Sequence, residues 1–225
     1  MELNDIYDKD RNRTGRVHRR GTQWGPGEFG LVVCVWVYDG HGKLLLTRRA
    51  PGKTFAGTWE NSGGAARAGE NSRQAIRREL FEETGIQAEE EEFEYIGTDR
   101  DAHAFYDFYC LRRELPIDRI VLQPGETDGA QWATYEQIHR MIREKQICRI
   151  IARQYQRQEK ALKLKQIAQE CLINFGNATG VFCLPKPRWF CYNEKKRFLK
   201  LRRKRFCRSR KNAFSFLFYH RRKSL

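Results

Sequence analysis

The sequence predicts a mixed α/β domain of the α+β type, with helices packed on a sheet, followed by a basic extension of no recognisable fold. Strand-like runs rich in β-branched and aromatic residues alternate with two helix-like segments. The excess positive charge is confined to the end of the chain. We therefore expect one domain over residues 1–159 and a tail over residues 160–225 that is not an independent domain.

Two neighbouring strands are predicted before residue 50. The run LVVCVWVYD (31–39) is typical of a buried strand, and KLLLTRR (43–49) predicts the strand beside it. The intervening DGHG has the Gly and Asp chemistry of a tight hairpin. The following stretch, PGKTFAGTWENSGGAARAGE (51–70), is rich in Gly and other small residues and predicts a loop.

The first helix is predicted after this loop. Asn71 or Ser72 is suited to cap its N-terminus, and Gly85 is suited to end it, because glycine accepts the left-handed conformation at a helix C-terminus.

The second half of the domain predicts three strands and another helix. The runs FEYIGTDR (93–100) and HAFYDFYCL (103–111) are strand-like, and QWAT (131–134) closes a third strand. Thr134 and Gln137 form the pattern of a capping box, which predicts a helix that runs to about Lys145.

The charge of the chain is divided unevenly along its length. The formal net charge is +15, but the segment from Lys160 onward holds 19 of the 43 Lys and Arg residues and only 2 of the 28 acidic residues. Aromatic residues interleave with this basic charge, as in single-strand nucleic-acid binders and membrane-surface segments. A shifted reading frame would give the same composition. Nucleic-acid binding through the tail is therefore one open interpretation among several.

The sequence shows no signal for export or membrane insertion. No apolar run approaches the ~18 residues of a membrane helix, and the charged start MELNDIYDKDRNR has no apolar core. The seven cysteines contain no C-x-x-C pair, which argues against a disulfide framework. We expect a cytoplasmic protein with no transmembrane segment.

Three acidic side chains are crowded within RRELFEETGI (77–86). Glu79, Glu82 and Glu83 follow helical spacings of three and four, which places them on one face about 5–6 Å apart. Their mutual repulsion has to be dissipated by water or compensated by a bound cation.

The residues around these glutamates distinguish the two alternatives. The segment GAARAGENSRQAIRRELFEETGI (64–86) fits G-x5-E-x7-R-E-U-x-E-E-x-G-U at every position, where U is a bulky apolar residue. This pattern resembles the Nudix box. The resemblance implies a mixed sheet sandwiched between helices, and a site where Mg²⁺ or Mn²⁺ is held against the diphosphate of a small phosphorylated substrate.

The resemblance also implies roles for the residues of the box. Glu79, Glu82 and Glu83 would be the metal ligands, and the carbonyl of Gly64 would be an additional one. We expect Arg78 to pair with a glutamate and fix its rotamer. We expect Glu70 to orient the loop and Gly85 to supply backbone geometry that other residues cannot adopt.

The implied reaction is hydrolysis of a pyrophosphate bond in a nucleoside diphosphate linked to another group, or in a related organic pyrophosphate. A base has to take the proton of the attacking water. In QPGETDGAQW (123–132), Glu126 is placed similarly to a later catalytic acid of some Nudix enzymes, and Glu79 is the other candidate.

The resemblance extends from about residue 5 to about residue 144. The opening YDKDRNRTGRVHRRG (7–21) is similar to the subgroup that includes isopentenyl diphosphate isomerase, which needs a cysteine before the first box glycine and a histidine after it. Gly63 and Ala65 occupy these positions. Hydrolysis is therefore favoured over isomerisation, and a non-catalytic nucleic-acid- or nucleotide-binding Nudix-fold protein is the alternative.

Candidate substrate contacts lie upstream of the box and in the predicted strands. Arg48, Arg49 and Lys53 are candidates for binding phosphates, with a cationic strand edge as the alternative. The aromatic candidates for stacking a base are Trp59, Phe105 and Tyr106, for which core packing is the favoured alternative. No residue pattern identifies the second half of the substrate or an oligomeric state.

Overall fold

The computed structural model describes residues 2–176, which begin with a two-stranded antiparallel hairpin. Strand β1 (Leu3–Tyr7) pairs with β2 (Arg13–Arg19). This hairpin was not predicted as a separate element. Most side chains of β2 are exposed, so the segment lacks the alternation that marks a half-buried strand.

The main sheet contains seven strands. They are β3 (Gly30–Tyr38), β4 (Leu44–Arg49), β5 (Trp59–Glu60), β6 (Ser62–Ala65), β7 (Glu94–Arg100), β8 (Ala104–Arg112) and β9 (Thr127–Ala133). Their order is β5-β4-β3-β8-β7, while β6 pairs with β3 and β9 pairs with β4. Strands β3 and β8 are parallel and the other pairs are antiparallel, so the sheet is mixed.

The hairpin of β3 and β4 is paired at its closed end and then divides. The two strands share only the Tyr38–Leu44 register pair. Beyond it, β6 pairs with residues 32–35 of β3, while β9 and β5 pair with β4. The predicted strands and the hairpin are confirmed, and the division leaves a fork between the two branches.

The predicted loop over residues 51–70 was wrong for residues 59–65, which contain β5 and β6. At Gly63, an added Cβ would lie 2.2 Å from the carbonyl oxygen of Val33 and 2.9 Å from the Cα of Cys34. The small residues therefore allow a close approach of two strands, although their composition is the same as that of a loop.

The two predicted helices are confirmed. Helix α1 (Ser72–Thr84) begins after Asn71, whose side chain accepts hydrogen bonds from the backbone of residues 73 and 74. It ends at Gly85, whose φ of 71° is left-handed. Helix α2 (Tyr135–Arg143) begins with the capping box of Thr134 and Gln137.

A third helix, α3 (Arg149–Gly176), was not predicted. Tyr155 and Leu162 are 1% and 2% exposed and anchor it in the core. The helix continues through the predicted domain boundary at residue 159, so the first part of the predicted tail is helical. The division into domain and tail stays a prediction. Residues 177–225, and with them most of the segment considered for nucleic-acid binding, lie outside the described residues.

The sheet has a hydrophobic core on each face. One face packs Val33, Val35 and Val37 against Ile76 and Leu80 of α1. The other face packs residues such as Trp36, Leu44 and Leu46 against α2 and α3. The predicted fold class, a mixed sheet between helices, is confirmed.

Within residues 2–176, no helix has the length and apolar content needed to cross a membrane. Cys34, Cys110 and Cys148 are buried, and Cys34 and Cys148 are free thiols.

Candidate active site

The glutamates of α1 reach the backbone of β6 because β6 has no side chains at its centre. The carboxylate of Glu79 occupies the space of a side chain at Gly64, since an added Cβ there would lie 2.4 Å from it. The backbone N–H of Gly63 donates to Oε2 of Glu83 at 3.2 Å. The two ends of the 64–86 motif therefore meet at one point of the fold.

Negative charge is concentrated at this meeting point. Burial raises the pKa of Glu83, and the charges of Glu79 and Glu60 raise it further. Burial also raises the pKa of Glu79, and this effect outweighs the opposing influence of Arg78. In the absence of further positive charge, the ionised forms of these carboxyl groups are thus disfavoured.

Arg78 connects the carboxylates of the motif. Its Nη1 atom donates to Glu79 at 2.8 Å and to Glu82 at 3.1 Å, and its Nε atom donates to Glu70 at 2.7 Å. Its Nη2 atom donates to the carbonyl of Ala65 at 3.1 Å. Burial opposes the charge of Arg78, but the bonds to Glu70 and Glu79 raise its pKa above the ordinary value. These are the contacts expected of a group that fixes carboxylate rotamers.

Glu70 holds the turn that precedes α1. Its carboxylate accepts from Arg78 and from the backbone N–H of Arg67, the latter at 2.8 Å. The carboxylate therefore bridges the turn and the helix, and the loop-orienting role of Glu70 stays a prediction.

The acidic groups fit a divalent cation by charge and chemistry. Within the described residues, no three acidic, His or Cys side chains are already arranged as metal ligands. Instead, Glu82 is bonded to Arg67 and Arg78, and Glu79 is bonded to Arg78. The donor atoms are all oxygens, as Mg²⁺ prefers, and Glu79 and Glu82 lie close enough to share one guanidinium nitrogen.

A second cluster of charges lies at the fork of the sheet. Arg49 donates to both carboxylate oxygens of Glu60, at 2.8 and 2.7 Å, and Lys53 donates to Glu126 at 2.5 Å. Burial raises the pKa of Glu60 despite Arg49, and the charge of Glu126 contributes to the increase. The fold thus places Glu126 and Lys53 within electrostatic range of Glu60, which itself acts on Glu83.

The predicted substrate contacts are only partly brought together. Arg48 bonds to Asp128 at 2.6 Å and lies over the ring of Trp59, whereas its neighbour Arg49 belongs to the charge cluster. Successive side chains of a strand point to opposite faces, so Arg48 and Arg49 are directed to different faces of the sheet.

A cavity of about 280 Å³ lies beside Glu60 and Gly63. Its walls include Cys34, Glu60, Asn61, Gly63, Tyr106 and Gln154. Of the three aromatic candidates, Tyr106 lines this cavity. Phe105 belongs to the core on the α1 face of the sheet, and Trp59 packs against the core on the opposite face. Sequence reasoning missed Glu60, Asn61 and Gln154, because a single polar residue in a Gly-rich segment or a helix has no distinguishing pattern.

Comparisons with known proteins agree with this geometry. The model of the NUDIX domain matches residues 28–153, more than half of the chain. An uncharacterised Nudix hydrolase of Listeria monocytogenes is 30% identical over 140 residues, which cover 61% of this chain and 83% of that protein. An isopentenyl-diphosphate Delta-isomerase of Halorhodospira halophila is 32% identical over 140 residues, which cover 59% and 80%.

Solved structures show the same fold. DR0079 of Deinococcus radiodurans is similar with a TM-score of 0.59 and 21% identity, over 69% of this chain and 98% of that one. A bifunctional NMN adenylyltransferase/ADP ribose pyrophosphatase of Francisella tularensis, complexed with AMP and Mn, has a TM-score of 0.51 at 17% identity, over 63% and 43%. The chain belongs to the Nudix family and is a pyrophosphohydrolase.

The positions that distinguish the isomerases lie on β6. Gly63 and Ala65 provide neither a thiol nor an imidazole. Cys34 is the residue opposite Gly63 in the β3–β6 register, a proximity that the sequence did not reveal. Burial, together with the charges of Glu83 and Glu60, raises the pKa of the Cys34 thiol.

Proposed function

We propose that this protein hydrolyses the pyrophosphate bond of a nucleoside diphosphate linked to another group, or of a related organic pyrophosphate, with Mg²⁺ or Mn²⁺. The observation that carries the proposal is the convergence of Glu79 and Glu83 on the backbone of Gly63 and Gly64. Carboxylates with raised pKa values at one point favour a bound cation over a solvated helix face.

The carboxylates of Glu79, Glu82 and Glu83 would hold the ion, with the carbonyl of Gly64 as an additional ligand. A bound divalent ion supplies polarisation of a phosphoryl oxygen and neutralises charge on the leaving phosphate. Arg78 holds the carboxylates of Glu79 and Glu82 close together, because it bonds to both. Glu70 in turn holds Arg78, so the geometry of the acids depends on the loop before α1.

The proton of the attacking water needs an acceptor among the carboxylates at the fork. Glu126 and Glu79 are the two candidates, as the sequence indicates. Glu126 is bonded to Lys53, whose ammonium group is a candidate contact for a phosphate oxygen of the substrate. Arg49 is held by Glu60 at the edge of the cavity and is the second candidate phosphate contact.

A screen of nucleoside diphosphate conjugates and other organic pyrophosphates with Mg²⁺ and with Mn²⁺ tests the proposal. Hydrolysis of at least one compound, abolished by a chelator, is the expected result. Complete inactivity of the folded protein across the panel would contradict it and would favour the alternative, a Nudix-fold protein that binds nucleotides or nucleic acid without turnover.

Isomerase activity should be absent. Addition and removal of a proton at carbon requires the thiol and the imidazole that Gly63 and Ala65 do not offer. Incubation of isopentenyl diphosphate with metal-loaded protein should therefore yield no dimethylallyl diphosphate. Conversion above the background of a heat-denatured sample would sink this prediction, and a Cys34→Ala variant would then test the neighbouring thiol.

We also propose a cytoplasmic location, because the sequence has no apolar run of ~18 residues and no C-x-x-C pair of a disulfide framework. Fractionation of cells that produce the tagged protein is the corresponding measurement.

A further inference from the structure

Two buried amide side chains line the cavity beside Glu60 and carry polar atoms that have no hydrogen-bond partner among the described residues. Asn61, which is 4% exposed, lies between β5 and β6, and Gln154, which is 6% exposed, lies on α3. Within the part of the chain that the structure describes, neither amide atom of Asn61 nor Oε1 of Gln154 has a partner. Both residues line the same 280 Å³ cavity, from two different elements.

Unpaired buried amides are unfavourable for folding. Almost all buried polar groups in native proteins are hydrogen-bonded, and an apolar side chain of the same shape would avoid the penalty. Two such groups at one cavity therefore indicate a ligand that completes their hydrogen bonds when it binds.

The other walls of the cavity are suited to a flat ring. Phe55 and Tyr106 contribute aromatic surface, and Ile151 contributes apolar surface. Phe55 has a left-handed φ of 60°, a conformation that costs energy for an aromatic residue and recurs at ligand sites. The volume equals that of about nine waters at ~30 Å³ each, so a group with a similar number of heavy atoms fits.

We propose that this cavity takes the heterocyclic base of a nucleoside diphosphate substrate, and that Asn61 and Gln154 determine specificity by bonding to its edge. An amide presents a donor and an acceptor side by side, which matches the edge of a base. Glu60 and Gly63 also line the cavity, so a base held there directs its phosphates toward the glutamates. A substrate with an apolar group in this cavity would leave the amides of Asn61 and Gln154 without hydrogen bonds. The placement of the phosphates rests on the proposed function.

The test measures binding of the base without metal and without turnover. Calorimetry compares AMP, GMP, CMP and UMP with ribose 5-phosphate, which has the same phosphate and sugar but no base. At least one nucleotide should bind the parent protein about tenfold or more tightly than ribose 5-phosphate, since two amides and two rings contact the base.

Gln154→Met and Asn61→Leu should each remove most of this advantage. The melting temperature of the free variants should stay unchanged or rise by about 2–4 °C, because an unsatisfied buried amide is replaced by an apolar group. If the amide had only a structural role, its replacement would lower the melting temperature. Gln156→Met, at an exposed position of the same helix as Gln154, is the matched control. It should change neither the preference for the nucleotide over ribose 5-phosphate nor the melting temperature.

Several outcomes would overturn the proposal. The first is equal binding of all four nucleotides and ribose 5-phosphate. The second is a Gln154→Met protein with the parental ratio of nucleotide affinity to ribose 5-phosphate affinity. The third is a lower melting temperature for both variants while this affinity ratio is retained. A parental base preference in a protein that hydrolyses nothing in the panel would support this inference while rejecting the proposed hydrolysis.

Discussion

Glu83→Gln is expected to reduce turnover by roughly 10²-fold or more without destabilising the metal-free protein. The change removes the charge of a proposed metal ligand, and stabilisation of developing phosphate charge is among the largest contributions to such catalysis. Glutamine still accepts the hydrogen bond from the N–H of Gly63. Removing a carboxylate that burial and Glu79 already disfavour should leave stability in chelator equal to or above that of the parent.

Excess Mg²⁺ should reverse this order of stability. A ligand that binds only the folded state stabilises it by about 2.7 kcal/mol at a concentration of 100 times its Kd, and the variant loses much of that affinity. Thermal unfolding in chelator and in Mg²⁺, alongside turnover, measures both effects. Glu82→Gln should behave similarly, with a small additional loss from its partly exposed bonds to Arg67 and Arg78.

Glu91→Gln is the matched control, since Glu91 is an exposed glutamate outside the motif, in the short turn Glu90–Glu92. It should change neither turnover nor the Mg²⁺-dependent shift in melting temperature. A Glu82→Gln or Glu83→Gln protein with parental turnover and the parental melting shift would defeat the metal-site interpretation.

Gly63→Cys should destabilise the protein by about 1–3 kcal/mol or more and should not create isomerase activity. An added Cβ would lie 2.2 Å from the carbonyl oxygen of Val33, and the obstructing atoms belong to the backbone of a central strand. Overpacking of this kind forces backbone shifts rather than a simple rotation of a side chain. The free energy of unfolding in urea is the measurement.

Two further glycine variants separate the close approach from other effects. Gly63→Ala should show most of the decrease in the free energy of unfolding that is expected for Gly63→Cys. Gly129→Ala on β9 should hardly change this free energy, because its added Cβ would meet no atom closer than 3.4 Å. Parental stability of Gly63→Cys would show that β6 can move away from β3 at little cost.

The sequence predicted the elements whose signals are local. Asn71 and Gly85 mark the ends of α1, and the capping box of Thr134 marks the start of α2, because these residues satisfy the termini of their own helix. The box glutamates were recognisable from their spacing.

Features that depend on distant partners were not predictable in this way. Gly63 occurs in a strand that reads as a loop, since the reason for its small size is the backbone of Val33, thirty residues earlier. Glu60 became a candidate only when the fold placed it beside Arg49 and within range of Glu83. Helix α3 was missed because Cys148, the residue before it, is not a capping residue, and because Tyr155 and Leu162 are buried only through packing in the folded core.

The course of α3 determines where the chain can be shortened for biochemical work. Ending the protein at residue 159 would discard Leu162, which is 2% exposed, and would leave about three turns of a helix that also holds Gln154 and Tyr155. Short helices depend on their packed face for stability, so fraying would spread from the new terminus toward the cavity wall. A trimmed protein that ends after Gly176 keeps all of the described helix and is the appropriate partner of the full chain in each assay.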